Sequence, residues 1–230
     1  MPAPPPPYPR WRSWLSHLTD QTLVRGAGDY GDELAVLLRK GKLLLESNGA
    51  IYSWEDNYYN FRACFEALDW ARLPGDRCLL LGLGLGSIPQ MIEELFGERL
   101  EYLAVEYDAA VAQLAEDYLL YRLRSAITTV VADAAAFVAQ CDERFDLLLV
   151  DLFVDDEIPS QFSGAAFAKT LNELTVPGGL VISNRLTHRD HDRAATAAYY
   201  RDVWRGVFPK GGYLDVGSNW MLVSDGAYLI

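Results

Sequence analysis

Cysteine is scarce in this chain, as are histidine and methionine, at three each in 230 residues. Cys64, Cys78 and Cys141 are odd in number, widely spaced and form no CxxC pair. That argues against a disulfide framework and against a thiolate zinc site, and it points to the cytoplasm. Positive charge is also short, with 20 Lys and Arg against 32 Asp and Glu for a formal charge of -12. A field of that sign repels phosphate backbones and anionic lipid, so neither nucleic acid nor a membrane surface is an expected partner, whereas cationic small molecules are favoured. No apolar run reaches the roughly 20 residues that span a bilayer. The opening MPAPPPPYPR sets proline where a signal peptide carries its helical segment, so secretion by that route is not expected either.

What the chain has in quantity is apolar and aromatic surface. Half of its residues are apolar and 12% aromatic, a globular composition. At roughly 150 residues per domain, the length suits one large domain with a small appendage. Residues 2–9 hold six prolines, too stiff to enter a core and expected to form an extended leader. Trp11, Trp14 and Leu18 follow at helical spacing and are expected to pack a short segment onto the body. Over 33–54 the runs ELAVLLRK, KLLLES and AIYSW are separated by Lys40-Gly41 and by Ser47-Asn48-Gly49. An Asn-Gly turn between such runs predicts a small antiparallel β unit. The stripe Tyr58, Phe61, Phe65, Leu68 and Trp70 predicts a linking helix, closed by Pro74-Gly75. The expected division is therefore 1–54 for leader and β unit and 55–230 for the main domain.

Beyond Pro74 the short apolar runs CLLLGLG, LEYLAVEYD, ITTVVAD, FDLLLVD and GLVISN alternate with amphipathic segments. Continuous apolar runs are strands buried on both faces, so the pattern predicts a doubly wound α/β sheet. A helix over 192–207 and strand candidates near 211–213 and 219–224 predict an antiparallel addition at the end of that sheet.

Ligands of open α/β sheets bind beyond the carboxyl ends of the strands. The first strand delivers Gly82-Leu83-Gly84-Leu85-Gly86-Ser87, a turn that bends sharply, admits a ligand close to the backbone and presents free amides at a helix start. GxGxG before Ser is nearer to the nucleoside-binding turn of methyltransferases than to the dinucleotide GxGxxG. The second strand delivers Glu106, 20 residues beyond Gly86, where a carboxylate can accept both hydroxyls of a ribose. The third ends in Ala132-Asp133-Ala134, placing Asp133 at the adenine edge, where it can also cap the next helix. The fourth delivers Asp151, followed by Asp155, Asp156 and Glu157, an acidic mouth for an acceptor. His188 and His191 sit among Arg and Asp and read as a solvated face, so no metal site is expected. Tyr199, Tyr200 and Trp204, at helical spacing, read as core.

The combination of LLLGLGLGS, VEYD, VADAAAFV and FDLLLVD, preceded by GKLLLESNGAIYSWEDNYYNF, resembles the spermidine synthase family, aminopropyltransferases built on the class I methyltransferase fold. The resemblance runs over 34–184. Within it, the D-x-F-x-x-D-x-I-P stretch at 151–159 is similar to a spermidine-synthase-like branch found alone or fused to membrane transporters. The resemblance implies a seven-stranded sheet and a dimer. It also implies that Gly82, Gly84 and Gly86, with Ala134, line S-adenosylmethionine or its decarboxylated form. On the same basis Glu106 holds the ribose, Asp133 the adenine, and Asp151 orients and deprotonates an attacking amine. The departures are specific. The family reads GGGDGG at the glycine turn, and its aspartate there, which grips the amine of the decarboxylated donor, is Leu85 here. The family glutamine after the β hairpin is Tyr52, and the tyrosine of its DEFxYxE stretch is Asn60.

With the selector for the decarboxylated donor gone, the expectation is an S-adenosylmethionine-dependent methyl transfer to a small acceptor, with Asp151 as base and Asp155, Asp156 and Tyr52 at the acceptor. Aminopropyl transfer to a polyamine is the alternative, followed by an idle nucleoside-binding protein and, more distantly, a nicotinamide oxidoreductase.

Overall fold

The computed structural model describes residues 5–48, 50–153 and 157–230. A short helix, α1 (Arg10–Leu15), leads into four antiparallel strands in the order β1-β2-β3-β4: β1 (Gln21–Ala27), β2 (Glu33–Arg39), β3 (Lys42–Ser47) and β4 (Ala50–Ser53). The last three are the β unit read from the sequence, and the turns fall at Lys40-Gly41 and after Ser47. The sequence pattern does not predict β1, because QTLVRGA lacks a clean apolar alternation and lies half exposed along the edge of the sheet.

The linking segment is a one-turn 3-10 helix at Glu55–Asn57, then α2 (Tyr59–Glu66), then a second such turn at Trp70–Arg72, shorter and more broken than one continuous helix. The main sheet follows: β5 (Arg77–Leu81), α3 (Ser87–Leu95), β6 (Glu101–Glu106), α4 (Ala109–Tyr118), β7 (Ala126–Val131), α5 (Ala134–Gln140), β8 (Phe145–Val150), α6 (Ala165–Glu173) and β9 (Thr175–Leu186). The chain closes with α7 (Asp190–Tyr199), a π-turn, α8 (Arg205–Val207), β10 (Gly212–Asp215) and β11 (Asn219–Val223). The seven strands lie in the order β10-β11-β9-β8-β5-β6-β7. β5 through β9 pair in parallel, and β11 and β10 add to β9 antiparallel. The chain winds outward from β5 through β6 to β7, then returns to lay β8 on the other side of β5. The crevice therefore opens between β5 and β8.

Alternate residues of each central strand feed two cores. Cys78 and Leu80 of β5 join a cluster with Val36, Leu38, Leu43 and Leu45 of the small sheet. Leu79 and Leu81 join Phe167, Leu171 and Trp204 on the other face. Burial on both faces is why these strands read as unbroken apolar runs.

The two sheets are tied by Glu55, a buried carboxylate that accepts from the Leu43 amide at 2.9 Å, from Arg122 at 2.9 Å and from Gln90 of α3 at 3.2 Å. Trp11, Trp14 and Leu18 do not pack onto the body; they are 58%, 71% and 74% exposed. The segment is held by Ser16 instead, whose carbonyl and hydroxyl accept the amides of Lys40 and Gly41. Tyr199 and Trp204 are buried, in keeping with a core reading, and Tyr200 packs edge-on against Tyr213 and Trp220 nearer the surface. Among the described residues, no helix is long and apolar enough to cross a membrane, and no cluster of three or more His, Cys, Asp or Glu is placed to hold a metal ion.

Candidate active site

The tips of β5, β6, β7 and β8 converge, together with the small sheet, on one cavity of about 670 Å³, within the roughly 300–1,000 Å³ usual for small-molecule sites. Gly82, Gly84, Glu106, Asp133, Ala134, Asp151 and Tyr52 all border it. Candidates widely separated along the chain thus share one wall.

The glycine turn is shaped first by the protein's own packing. Gly82 has φ +89°, and a Cβ there would collide with the backbone oxygen of Asp151. Gly86 has φ +94° and faces Leu120, whose Cδ2 would lie 2.5 Å from an added Cβ. Gly86 does not border the cavity: it is the N-cap of α3, so its conformation, not ligand contact, accounts for the glycine. Leu85 is wholly buried in the core behind the turn and also leaves the cavity wall to Leu83 and Gly84.

Glu106 lies at the cavity, and its carboxylate is already engaged. One oxygen accepts the amides of Leu83 and Gly84 at 3.1 and 3.0 Å, the other those of Tyr107 and Asp108 at 2.8 and 3.2 Å. Burial pushes the Glu106 carboxyl above the ordinary carboxylate range, and these four amides oppose that rise. A carboxylate offers about four acceptor directions, so a ribose bound here shares Glu106 with the turn it braces. Asp133 caps α5 through the Ala136 amide at 2.8 Å and accepts from Gln161 at 2.9 Å with its second oxygen. In volume and in the placement of two carboxylates the residues present fit a nucleoside, whereas the amides of Gly82, Leu83, Gly84 and Gly86 are taken within the chain and are not free for it.

Asp151 sits one residue past β8, its amide bonded to the Leu81 carbonyl at 2.8 Å. Tyr58 donates its hydroxyl to the two carboxylate oxygens at 3.0 and 2.8 Å, and Asn184 of β9 donates Nδ2 to Oδ1 at 2.9 Å. Desolvation pushes the Asp151 carboxyl up to about 6; the bonds from Asn184 and Tyr58 pull it down, and the charge of Glu106 adds to the rise. The phenol of Tyr58 is in turn held well above its usual range by burial and by Asp151. Sequence reasoning misses both partners. Tyr58 reads as part of an apolar stripe, although Asn184, the polar end of GLVISN at a strand's carboxyl tip, is a usable signal. Asp155 and Asp156 lie outside the described residues. His188 and His191 are exposed, and His191 pairs with its neighbour Asp192 at 3.2 Å.

A second group of residues joins the loop between β1 and β2 to the start of α4, with Tyr30, Tyr107 and Asp108 bordering the cavity. The Asp29 amide bonds Asp108 Oδ2 at 2.9 Å, the Ala109 amide bonds Asp29 Oδ2 at 3.0 Å, and the rings of Tyr30 and Tyr107 stack 4.3 Å apart.

Fold and site together define an α/β protein of methyltransferase-type fold with a nucleoside-sized cavity at its strand tips. No family model matches the chain. In sequence it is 25% identical over 141 residues to a polyamine aminopropyltransferase of Vibrio vulnificus, covering 59% of this chain and 47% of that one. It is 28% identical over 136 residues to a probable polyamine aminopropyl transferase of Bifidobacterium longum, covering 59% of this chain and 30% of that one. The matched part thus spans less than half the length of these curated relatives. Among solved structures, a probable spermidine synthase from Corynebacterium glutamicum superposes with a TM-score of 0.68 at 18% identity, over 87% of this chain and 78% of that one. A spermidine synthase in complex with the transition state analogue AdoDATO gives 0.65 at 15% over 88% and 71%. Human methyltransferase-like protein 13 in complex with SAH gives 0.56 at 19% over 74% and 82%. These likenesses support a place for the chain in a spermidine synthase-like family on a methyltransferase-type fold.

Proposed function

We propose that the chain transfers a carbon group from an S-adenosyl sulfonium nucleoside to a small nucleophilic acceptor, with Asp151 receiving the acceptor's proton. The observation that carries this reading is the setting of Asp151, a carboxyl raised to about 6 beside a nucleoside-sized cavity and held by Tyr58 and Asn184. At neutral pH it is ionised, and it is a stronger base than a solvated aspartate at about 3.9. The sulfonium donor supplies an electrophilic carbon and a neutral leaving group. The protein's share is alignment and proton acceptance. Glu106 is assigned to the ribose, Asp133 to the adenine edge, and Gly82, Gly84 and Ala134 to the backbone wall. Asp155, Asp156 and Tyr52 are assigned to the acceptor.

Aminopropyl transfer from decarboxylated S-adenosylmethionine to an amine is the form supported by the relatives' names. Methyl transfer from S-adenosylmethionine is a second form, favoured by Leu85. That apolar, wholly buried side chain leaves no carboxylate where the aminopropyltransferase pattern has one to balance the donor's ammonium. Tyr52 and Asn60 likewise replace acceptor-side residues of that pattern. A cytoplasmic location, from cysteine usage, and a homodimer, from the family resemblance, go with either form.

Thermal shift with S-adenosylmethionine, its decarboxylated form, methylthioadenosine and NAD tests the reading. Saturation at 100 times the dissociation constant adds about 2.7 kcal/mol to stability. The expected outcome is a rise with sulfonium nucleosides and none with NAD, and the larger rise of the two donors names the group transferred. A flat response to all three nucleosides sinks the proposal.

A further inference from the structure

Asp151 accepts from Asn184, and behind Asn184 the chain of hydrogen bonds continues. Asn184 Oδ1 accepts from Asn219 Nδ2 of β11 at 2.8 Å, and Asn219 Oδ1 accepts from the Ser218 hydroxyl at 2.9 Å. Both asparagines are nearly sealed from solvent, at 3% and 4% exposure. They stand on adjacent antiparallel strands, β9 and β11, near the carboxyl end of β9, so sheet pairing fixes their separation.

A side-chain amide has a donor end and an acceptor end related by a half-turn, and only its partners decide which way it faces. Turned one way, Asn184 gives Asp151 a donor that favours the carboxylate. Turned the other way, it sets a carbonyl against that carboxylate and disfavours it. Asp151 alone selects the first orientation only while it is ionised, because a protonated carboxyl satisfies either. Asn219, with its amide nitrogen held against Asn184 Oδ1, selects the first orientation whatever the state of Asp151.

We infer that Asn219 is a positioning residue, locking the Asn184 amide so that its nitrogen always faces Asp151 Oδ1, leaving Oδ2 to share its lone pairs between Tyr58 and the acceptor. The inference rests on the proposed role of Asp151 as proton acceptor. The groups acting on Asp151 are Tyr58, from the segment before α2, Asn184 from β9 and the charge of Glu106 at the end of β6. Asn219 makes no hydrogen bond to it, so any effect of Asn219 on its titration passes through Asn184.

The test is carried out on the whole chain without donor or acceptor. Aspartate labelled with 13C at its carboxyl carbon is followed by NMR across pH, and the Asp151 signal is identified by its loss in Asp151→Asn. In Asn219→Leu, similar in branching though larger and without a donor, Asp151 is expected to titrate higher than in the parent, and in Asn219→Asp higher still, by the opposite amide orientation together with the added charge. One lost charge-assisted hydrogen bond corresponds to a rise of roughly one pH unit. Asn219→Ser, which keeps a hydroxyl donor, is expected to fall between them and the parent and stands in for the leucine variant should that one fail to fold. Asp151 titrating as in the parent in the folded variants overturns the inference. Because no substrate is present, a shifted titration in a protein that turns over no sulfonium donor would leave the relay standing and remove the transfer reading. An unshifted titration in an active enzyme would do the reverse.

Discussion

In the proposed reaction a single carboxyl couples stability and chemistry. Asp151 is protonated up to about pH 6 in the folded state, against 3.8 for the ordinary group. Between those values the folded state binds the extra proton, so stability falls as pH rises through that window and stays lower above it. The shift corresponds to at most about 3 kcal/mol. Asp151→Asn removes that cost, so the variant is expected to melt several degrees higher than the parent at pH 8 and close to it at pH 4. Transfer should fall roughly 100-fold or more. Calorimetric melts at the two pH values and a turnover assay check both halves, and an unchanged melt at pH 8 would contradict the desolvation of this group. In the parent, turnover is expected to climb with pH through about 6 and level off above it. The candidacy of Asp151 for the proposed role of base is legible in the sequence, because a strand in an open α/β sheet announces what it delivers at its tip. Its partners are not: Tyr58 lies 93 positions away and Asn184 lies 33 away, and only the closed fold makes them neighbours.

Between elements, the tightest junction is where the turn after β5 passes the end of β8. Gly82 meets the Asp151 backbone there, and backbone cannot swing aside as a side chain can. Gly82→Ala therefore both strains a positive φ and displaces the segment carrying Asp151. A loss of several kcal/mol of stability is expected, read as a drop in the denaturation midpoint. A variant as stable as the parent would mean that this approach is looser than described. Glycine at 82 is legible as a turn, but its cause is not: spacing suggests room for a ligand, whereas the contact is with the chain itself. The doubly wound sheet is legible because burial on both faces leaves an unmistakable run of apolar residues. β1 is hidden for the converse reason, since an edge strand with one wet face and a broken register at Thr22/Val24 carries little pattern.

At the scale of the whole molecule, one apolar cluster crosses from the small sheet to β5 and on to β9 and β11. Cys64 and Cys78 lie inside it with no exposed surface, and burial pushes the Cys64 thiol up to about 12 and holds that of Cys78 well above its usual range. Cys141 is only half-buried and packs at the margin of the other cluster. Alkylation needs both a thiolate and a path to it. The native protein should therefore take up one equivalent of iodoacetamide promptly and two more only as the interior opens, which intact mass spectrometry over time would resolve. The chain thus contains its own clock for global opening: two sealed sulfurs that time the event and a third that calibrates the reagent, with no label to engineer.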